Sequence, residues 1–230
     1  MKRNNLWLIP CAFFLICCVL DLAGCQSGSQ LERCVKPALM PLLCLTTAVW
    51  LYGREGSVSR PCLVPLLLCG QLFGFAGDTM LLGNGFPFFA GGIGLFLIGH
   101  IFYICLFGRL SLRGLRPWHW IAGIAVGAGA SVSMALLIGV RGVLLAPMGI
   151  YAFALMMLIF STLAGVVRFG GLTWWLPLCG AVLFAFSDAL IAVRSFGTIS
   201  PFLNAVVVMG TYLAAQCLLA VGGLRLATGR

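Results

Sequence analysis

The 230-residue sequence has few charged side chains, at 8% of the chain, and acidic residues are the scarcest of these. Five residues are Asp or Glu, against fourteen that are Lys or Arg. A soluble domain needs a charged surface, and this composition cannot supply one. The hydrophobic residues, at 62%, instead form long runs broken by short basic loops, which predicts an all-α polytopic membrane protein.

Several catalytic and binding signatures are missing. The eleven cysteines include no Cys-x-x-Cys pair, so neither a zinc site nor a redox dithiol is indicated. No Gly-x-Ser-x-Gly, His-Glu-x-x-His or P-loop sequence occurs, so serine hydrolases, zinc proteases and nucleotide-driven pumps lack support. The net charge of +9 lies in loops and at span ends, where it indicates topology signals and lipid anchors rather than a nucleic-acid surface.

The apolar runs predict eight transmembrane helices that form a single bundle over residues 1–230. The predicted spans are residues 6–23, 35–52, 61–82, 87–107, 118–138, 143–167, 173–193 and 200–222. Ten basic residues fall on the side of the N-terminus and four on the other side, so both termini are predicted to be cytoplasmic.

The first span also resembles a bacterial lipoprotein signal that ends at Cys25. Cleavage there would leave seven spans. Asp21 interrupts the expected approach to the cleavage site, and the distribution of basic residues fits eight spans, so we favour the uncleaved chain.

Two aspartates are the only acidic residues predicted to lie well inside a span. Cys69-Gly70 precedes Asp78 by the same spacing as Cys179-Gly180 precedes Asp188, which suggests an internal duplication offset by 110 residues. A carboxylate at membrane depth costs about 2.5–3.5 kcal/mol on insertion scales, so these two indicate function. Counted from the predicted span ends, both lie about 6–8 Å inside the outer end of their helices.

Two carboxyls that face one low-dielectric cavity cannot both ionise cheaply, so we expect Asp78 and Asp188 to share a proton. Such a pair supplies an acid and a base, which suits hydrolysis of an ether-type C–O bond. The alternative is that each aspartate is a structural hydrogen-bond partner, for instance of Lys36 or His100. Ser187, next to Asp188, is expected to bond only to its own helix backbone.

Other polar side chains in the spans are candidates for substrate binding. Asp78 shares a helix face with Gln71 and Gly74, which predicts a cavity wall or a close helix contact. His100 and Tyr103 would face inward together if the stripe that starts at Phe96 does so.

Lys36, which with Pro37 is predicted to open span two, could meet a phosphate or an aspartate, or could snorkel to the interface. A metal held by His100 and the two aspartates has weak support from a single intramembrane histidine, and no metal is predicted. The remaining candidates among the polar groups inside the spans are Tyr151, Tyr212 and Gln216.

Several short motifs occur in order through spans two to eight. They are Lys36-Pro37, Gly77-Asp78-x-x-Leu81-Leu82, Gly99-His100-x-x-Tyr103, Tyr151, Phe186-Ser187-Asp188-Ala189-Leu190 and Tyr212-x-x-x-Gln216. Together they resemble the lysoplasmalogenase (YhhN-like) family in its animal form. The resemblance implies an enzyme of the endoplasmic reticulum membrane that hydrolyses the vinyl ether bond of lysoplasmalogens without a cofactor. It also implies that Asp78 and Asp188 form the catalytic pair.

Two other functions stay open at this point. One is a proton-coupled or lipid transporter that uses the intramembrane aspartates, and the other is a lipid-binding scaffold in which they are structural. The expected partners are a lysophospholipid substrate and membrane lipids, with no nucleic acid. Glycine-rich spans are compatible with a homodimer but do not decide it.

Overall fold

The computed structural model describes residues 5–54, 58–138, 145–196 and 201–229. All regular secondary structure in these ranges is helical. The eight α-helices, numbered α1 to α8 in chain order, are Leu8–Ser27, Leu31–Tyr52, Val64–Leu81, Phe86–Ser111, Pro117–Ile138, Leu145–Phe169, Leu172–Phe196 and Pro201–Thr228. Short 3-10 turns, Asn5–Trp7 and Pro61–Leu63, lead into α1 and α3.

Seven segments of the described chain are long and apolar enough to cross a membrane. They contain all or most of α1 to α4 and α6 to α8, and α5 is the remaining helix, with 22 residues. The prediction of an all-helical chain with membrane-length helices is confirmed. The number of eight spans and the cytoplasmic termini stay predictions.

The first two helices extend beyond their predicted ends. Helix α1 continues to Ser27, and α2 already begins at Leu31 after a turn at Gly28, whose φ of 61° suits glycine. Lys36 therefore lies inside α2, and the prediction that Lys36-Pro37 opens this span is wrong. The predicted ends follow the drop in hydropathy, whereas the helix hydrogen bonds continue through the polar residues beyond it.

The chain forms two compact units. Unit one consists of Met1–Tyr103 and Ala220–Arg230, and so contains α1 to α3, most of α4 and the end of α8. Unit two consists of Ile104–Leu219 and contains the end of α4, α5 to α7 and most of α8. The single bundle over 1–230 stays a prediction.

In unit one, glycines of α3 lie directly against aromatic rings of α4. A Cβ at Gly70 would come within 2.8 Å of the Tyr103 ring, and a Cβ at Gly77 within 2.8 Å of the Phe96 ring. Gly99 of α4 in turn faces the carbonyl oxygen of Gly70. Small residues let membrane helices approach closely, so α3 and α4 form a tight antiparallel pair.

The segment before α3 holds the end of α8 in the same unit. The guanidinium of Arg60 donates a hydrogen bond to the carbonyl oxygen of Leu226 (2.8 Å), and the Ser59 hydroxyl donates to that of Thr228 (3.2 Å). The backbone N–H of Arg60 donates to the carbonyl oxygen of Ala227 (2.9 Å). These donors satisfy carbonyl groups that the last turn of a helix leaves without intrahelical partners.

In unit two, glycines again mark the helix contacts. Gly165 of α6 lies against the buried indole of Trp174 in α7, and Gly123 of α5 lies against Phe160 of α6. A Cβ at Gly180 of α7 would be 3.0 Å from the carbonyl oxygen of Ala215 in α8. Helices α5 to α8 are therefore packed in sequence as antiparallel neighbours.

Replacing Gly165 with alanine should destabilise the protein, because the added methyl group would overlap the buried ring of Trp174. Overpacking of this kind costs about 1–3 kcal/mol. Gly149→Ala in the same helix is the matched control, because its Cβ would meet nothing within 4 Å and alanine favours a helix. Thermal unfolding in detergent should show a lower Tm for Gly165→Ala alone; equal Tm values would contradict the described packing.

Candidate functional site

Asp78 is buried near the end of α3. Its exposed fraction is 3%, and it lies three residues before the end of the helix at Leu81. Gly74 and Gln71, one and two turns earlier on the same face, are buried as well. This confirms that the face with Gln, Gly and Asp makes close contacts inside unit one rather than facing lipid.

Gln71 is held by α2. Its amide nitrogen donates to Thr47 Oγ1 at 3.1 Å, and the Thr47 hydroxyl donates to the carbonyl oxygen of Leu43 at 2.9 Å. Since that hydroxyl proton is already used, Thr47 can only accept from Gln71, which fixes the orientation of the amide. Among the described residues, no donor reaches the buried Gln71 Oε1. Gln71, absent from the predicted site residues, is therefore a further candidate for the site.

The inward stripe of α4 is confirmed. Phe96, His100 and Tyr103 are all buried, with exposed fractions of 8%, 1% and 1%. Tyr103 packs on Gly70, so this stripe faces α3, the helix that carries Asp78. Substrate contact by His100 and Tyr103 stays a prediction.

Lys36 has a partner that the sequence did not suggest. Its ammonium group lies 3.3 Å from the carboxylate of Glu32, one turn earlier in α2. Glu32 fell outside the predicted span, so the sequence offered a phosphate, an aspartate or lipid headgroups as partners instead.

A third aspartate lies within a membrane-length helix, and it is buried as Asp78 is, whereas Asp188 is half-buried. Asp21 lies six residues before the end of α1 and has an exposed fraction of 0%. The expectation that only Asp78 and Asp188 lie well inside a span is therefore wrong. It failed because the predicted span ended at residue 23, whereas α1 continues to Ser27.

In unit two, Asp188 lies between α6 and α8. Its carboxylate accepts a hydrogen bond from the hydroxyl of Tyr151 in α6. The preceding Ser187 donates to the carbonyl oxygen of Val208 in α8 at 2.9 Å. The expectation that Ser187 bonds only to its own helix is therefore wrong, since the neighbouring helix supplies the acceptor. The Tyr151 contact shows that one predicted binding residue directly positions Asp188.

The other polar candidates of unit two also pack on α7. Tyr212 and Gln216 of α8 are buried, and the Gln216 amide donates to the Tyr212 hydroxyl at 3.3 Å. The Tyr212 ring meets Phe184 edge to face, with a centroid distance of 5.4 Å. Phe184 lies one turn before Asp188, so the Tyr212–Gln216 pair lies close to this aspartate along α7.

The two aspartates differ in depth when counted from their helix ends. Asp78 lies three residues before Leu81, and Asp188 lies eight residues before Phe196, which correspond to about 5 Å and about 12 Å. Counted from the ends of the apolar membrane-length segments Pro61–Leu81 and Leu172–Ala192, Asp78 lies three residues inside and Asp188 four, so their equal depth in a membrane stays a prediction. Sharing of a proton between the two carboxyls stays a prediction.

The fold and these buried polar groups define a multi-pass helical membrane protein that retains carboxyl groups within membrane-length helices. The YhhN family model matches residues 31–223, and the chain belongs to this family. The chain is 32% identical over 222 residues to lysoplasmalogenase TMEM86B of Mus musculus, covering 95% of this chain and 87% of that protein. It is 27% identical over 229 residues to lysoplasmalogenase TMEM86A of Homo sapiens, covering 97% and 91%. No solved structure matches the chain.

The family inferred from the short motifs is thereby confirmed. The prediction of an enzyme of the lysoplasmalogenase class agrees with the names of these relatives. The transporter alternative finds no support among them.

Thr47→Val should destabilise unit one, because it removes the acceptor for the buried amide of Gln71. A buried donor left without a partner costs about 1–3 kcal/mol. The neighbouring Thr46 is the matched control, because its hydroxyl bonds only to Leu42 in its own helix. A lower Tm is expected for Thr47→Val than for Thr46→Val in detergent. Equal values would show that the Gln71 contact contributes little.

Proposed function

We propose that this protein is an intramembrane hydrolase that cleaves the vinyl ether bond of lysoplasmalogens. Its substrates would be lysoplasmenylethanolamine and lysoplasmenylcholine, and its products a fatty aldehyde and glycerophosphoethanolamine or glycerophosphocholine. The observation that carries the proposal is the similarity to lysoplasmalogenases over 95% or more of the chain. We further propose that it acts in the endoplasmic reticulum membrane and requires no cofactor.

The reaction consumes one water molecule and proceeds by acid catalysis. A carboxylic acid protonates the β-carbon of the vinyl ether, which converts the α-carbon and the ether oxygen into an oxocarbenium ion. Water adds to the α-carbon and releases a proton to a base, which gives a hemiacetal. The hemiacetal then collapses into the aldehyde and the glycerol hydroxyl. The protein must therefore supply a proton, stabilise a cation and orient water.

Asp78 and Asp188 are the groups that we assign to these steps. A hydroxyl that donates to a carboxyl favours the ionised form of that carboxyl, and Tyr151 donates to Asp188. We therefore assign to Asp188 the stabilisation of the cation and the orientation of water, and to Asp78 the delivery of the proton. Both residues lie in membrane-length helices, where ionisable groups are rare and usually functional.

The buried polar groups on the helices packed against the helix of each aspartate are proposed to contact the substrate. In unit one these are His100 and Tyr103, and in unit two Tyr212 and Gln216. Each is more than nine-tenths buried in an apolar helix and carries a polar group that can bond to a substrate.

Purified protein in detergent should release aldehyde from a lysoplasmalogen, and Asp78→Asn and Asp188→Asn should each lower kcat by about 100-fold or more, as expected for loss of an acid–base group. Thr79→Val is the matched control beside Asp78, because Thr79 is exposed and bonds only to Phe75 of its own helix. Wild-type activity in both aspartate variants would refute the mechanism, and lipid flux across proteoliposomes without hydrolysis would favour a transporter.

The double variant tests whether the two aspartates act as one unit. Residues that act together in catalysis have strongly non-additive effects. The combined Asp78→Asn and Asp188→Asn variant should therefore be about as slow as the slower single variant. Fully multiplicative losses would indicate two independent contributions.

The rate should depend on pH as a bell-shaped curve, because one carboxyl must be protonated and the other ionised. Tyr151→Phe should change one limb of this curve, because it removes the hydrogen bond that Asp188 accepts. Tyr52→Phe is the matched control, since this tyrosine is largely exposed. A rate that is constant from about pH 4 to about pH 8 would contradict the proposed acid–base roles.

A further inference from the structure

The hairpin of α1 and α2 contains a charged cluster that the proposed reaction does not use. We call Asp21, Cys25, Glu32 and Lys36 the hairpin cluster. A Cβ at Gly24 would lie only 2.6 Å from the backbone nitrogen of Glu32, so the two helices are nearly in contact there. Asp21 lies one turn before Gly24 in α1, and Lys36 lies one turn after Glu32 in α2. The contact between Gly24 and Glu32 therefore also brings Asp21 beside Lys36.

The charged side chains of the hairpin cluster alternate in sign, from Asp21 to Lys36 to Glu32. The Lys36 ammonium pairs with the Glu32 carboxylate at 3.3 Å, and the buried Cys25 follows Gly24 where α1 comes closest to Glu32. The contact of Gly24 with Glu32 places Asp21 of α1 level with Lys36 of α2. The order is a buried acid, a base and a second acid, as expected for a site that accepts a ligand with charges of both signs.

Asp21 forms the buried end of the cluster. It has an exposed fraction of 0%, and among the described residues neither of its carboxylate oxygens accepts a hydrogen bond. The side chains of Lys36 and Glu32 are 15% and 30% exposed, so the cluster opens towards Glu32. A buried carboxyl without a donor is costly, and a ligand that brings N–H groups would remove that cost.

The hairpin cluster lies close to Asp78 along the axis of unit one. The Thr47–Gln71 bond sets the register of the antiparallel helices α2 and α3. In that register Lys36 lies level with Leu82, one turn beyond Asp78, which corresponds to about 6 Å along the helices. A lysoplasmalogen has seven covalent bonds between its vinyl β-carbon and its phosphorus atom, which span about 8 Å. The length of one substrate molecule therefore matches the separation of the two places along the helix axis.

We propose that the hairpin cluster binds the phosphoethanolamine headgroup of the substrate. Asp21 accepts hydrogen bonds from the ammonium group, and Lys36 exchanges Glu32 for the phosphate. This assignment rests on the proposed function. It makes the ethanolamine lipid the preferred substrate, because choline carries no N–H group that could donate a hydrogen bond to Asp21.

The test compares three substrates in phosphatidylcholine nanodiscs: lysoplasmenylethanolamine, lysoplasmenylcholine and a 1-alkenylglycerol without a headgroup. The readout is the ratio of kcat/KM for the ethanolamine lipid to kcat/KM for the alkenylglycerol. Asp21→Asn should lower this ratio about tenfold through KM, as expected for a lost hydrogen bond to a charged group. A purely structural role would slow all three substrates together and leave the ratio unchanged, which would overturn the assignment.

Exchanging the charges of Glu32 and Lys36 gives a second variant that does not depend on the buried position. The double variant Glu32→Lys and Lys36→Glu keeps an ion pair one turn apart but moves the positive charge away from Asp21. The ratio should fall about tenfold here as well. A wild-type ratio in this variant would overturn the assignment even if Asp21→Asn failed to fold.

Two further outcomes separate this assignment from the proposed function. A wild-type protein that cleaves none of the three substrates would overturn the hydrolase itself. Cleavage at rates that rise for all three substrates when diacyl phosphatidylethanolamine is added would overturn only the headgroup assignment, because it would identify a bystander lipid as the ligand.

Discussion

The cost of an unpartnered polar group in an apolar environment governs this structure. Water cannot satisfy a side chain inside a membrane, so each buried amide, hydroxyl or carboxyl needs a donor or an acceptor from the protein or from a ligand. Thr47 provides this for the Gln71 amide nitrogen, Tyr151 for Asp188 and the backbone of Val208 for Ser187. Buried polar atoms that no such contact satisfies indicate places where a ligand could supply the missing hydrogen bond. Asp21 and the Gln71 carbonyl oxygen are the clearest cases among the described residues.

Glycine makes these contacts possible. The duplication suggested by the two Cys-Gly segments has a structural counterpart, since Gly70 and Gly180 each lie against the following helix. In unit one the partner residues are Gly99 and Tyr103, and in unit two they are Ala215 and Leu218. In both places the aspartate follows two turns later on a helix already held tightly against its neighbour. The repeated pattern therefore specifies a close helix pair as well as a carboxyl.

The sequence predicted the helical class, the positions of most helices and the family, because apolar runs and short ordered motifs are local features. The helix ends were less accurate. Helices α1, α2 and α7 continue through polar residues beyond their predicted ends, and this error hid the burial of Asp21 inside α1. Tertiary partners were also missed. The acceptor of Ser187 is a carbonyl group twenty-one residues away, and nothing in the local sequence marks it.

The bonds from Ser59 and Arg60 to the last turn of α8 bear on how the protein is handled. The carbonyl groups of Leu226 and Thr228 are acceptors for donors that lie far earlier in the chain. A chain truncated before Leu226 would lose both acceptors, and the guanidinium of Arg60 would lose its hydrogen-bond partner. An affinity tag joined after residue 229 through a flexible spacer would leave these hydrogen bonds in place. A tag that replaces the last turn of α8 would remove them and would also destabilise the start of α3.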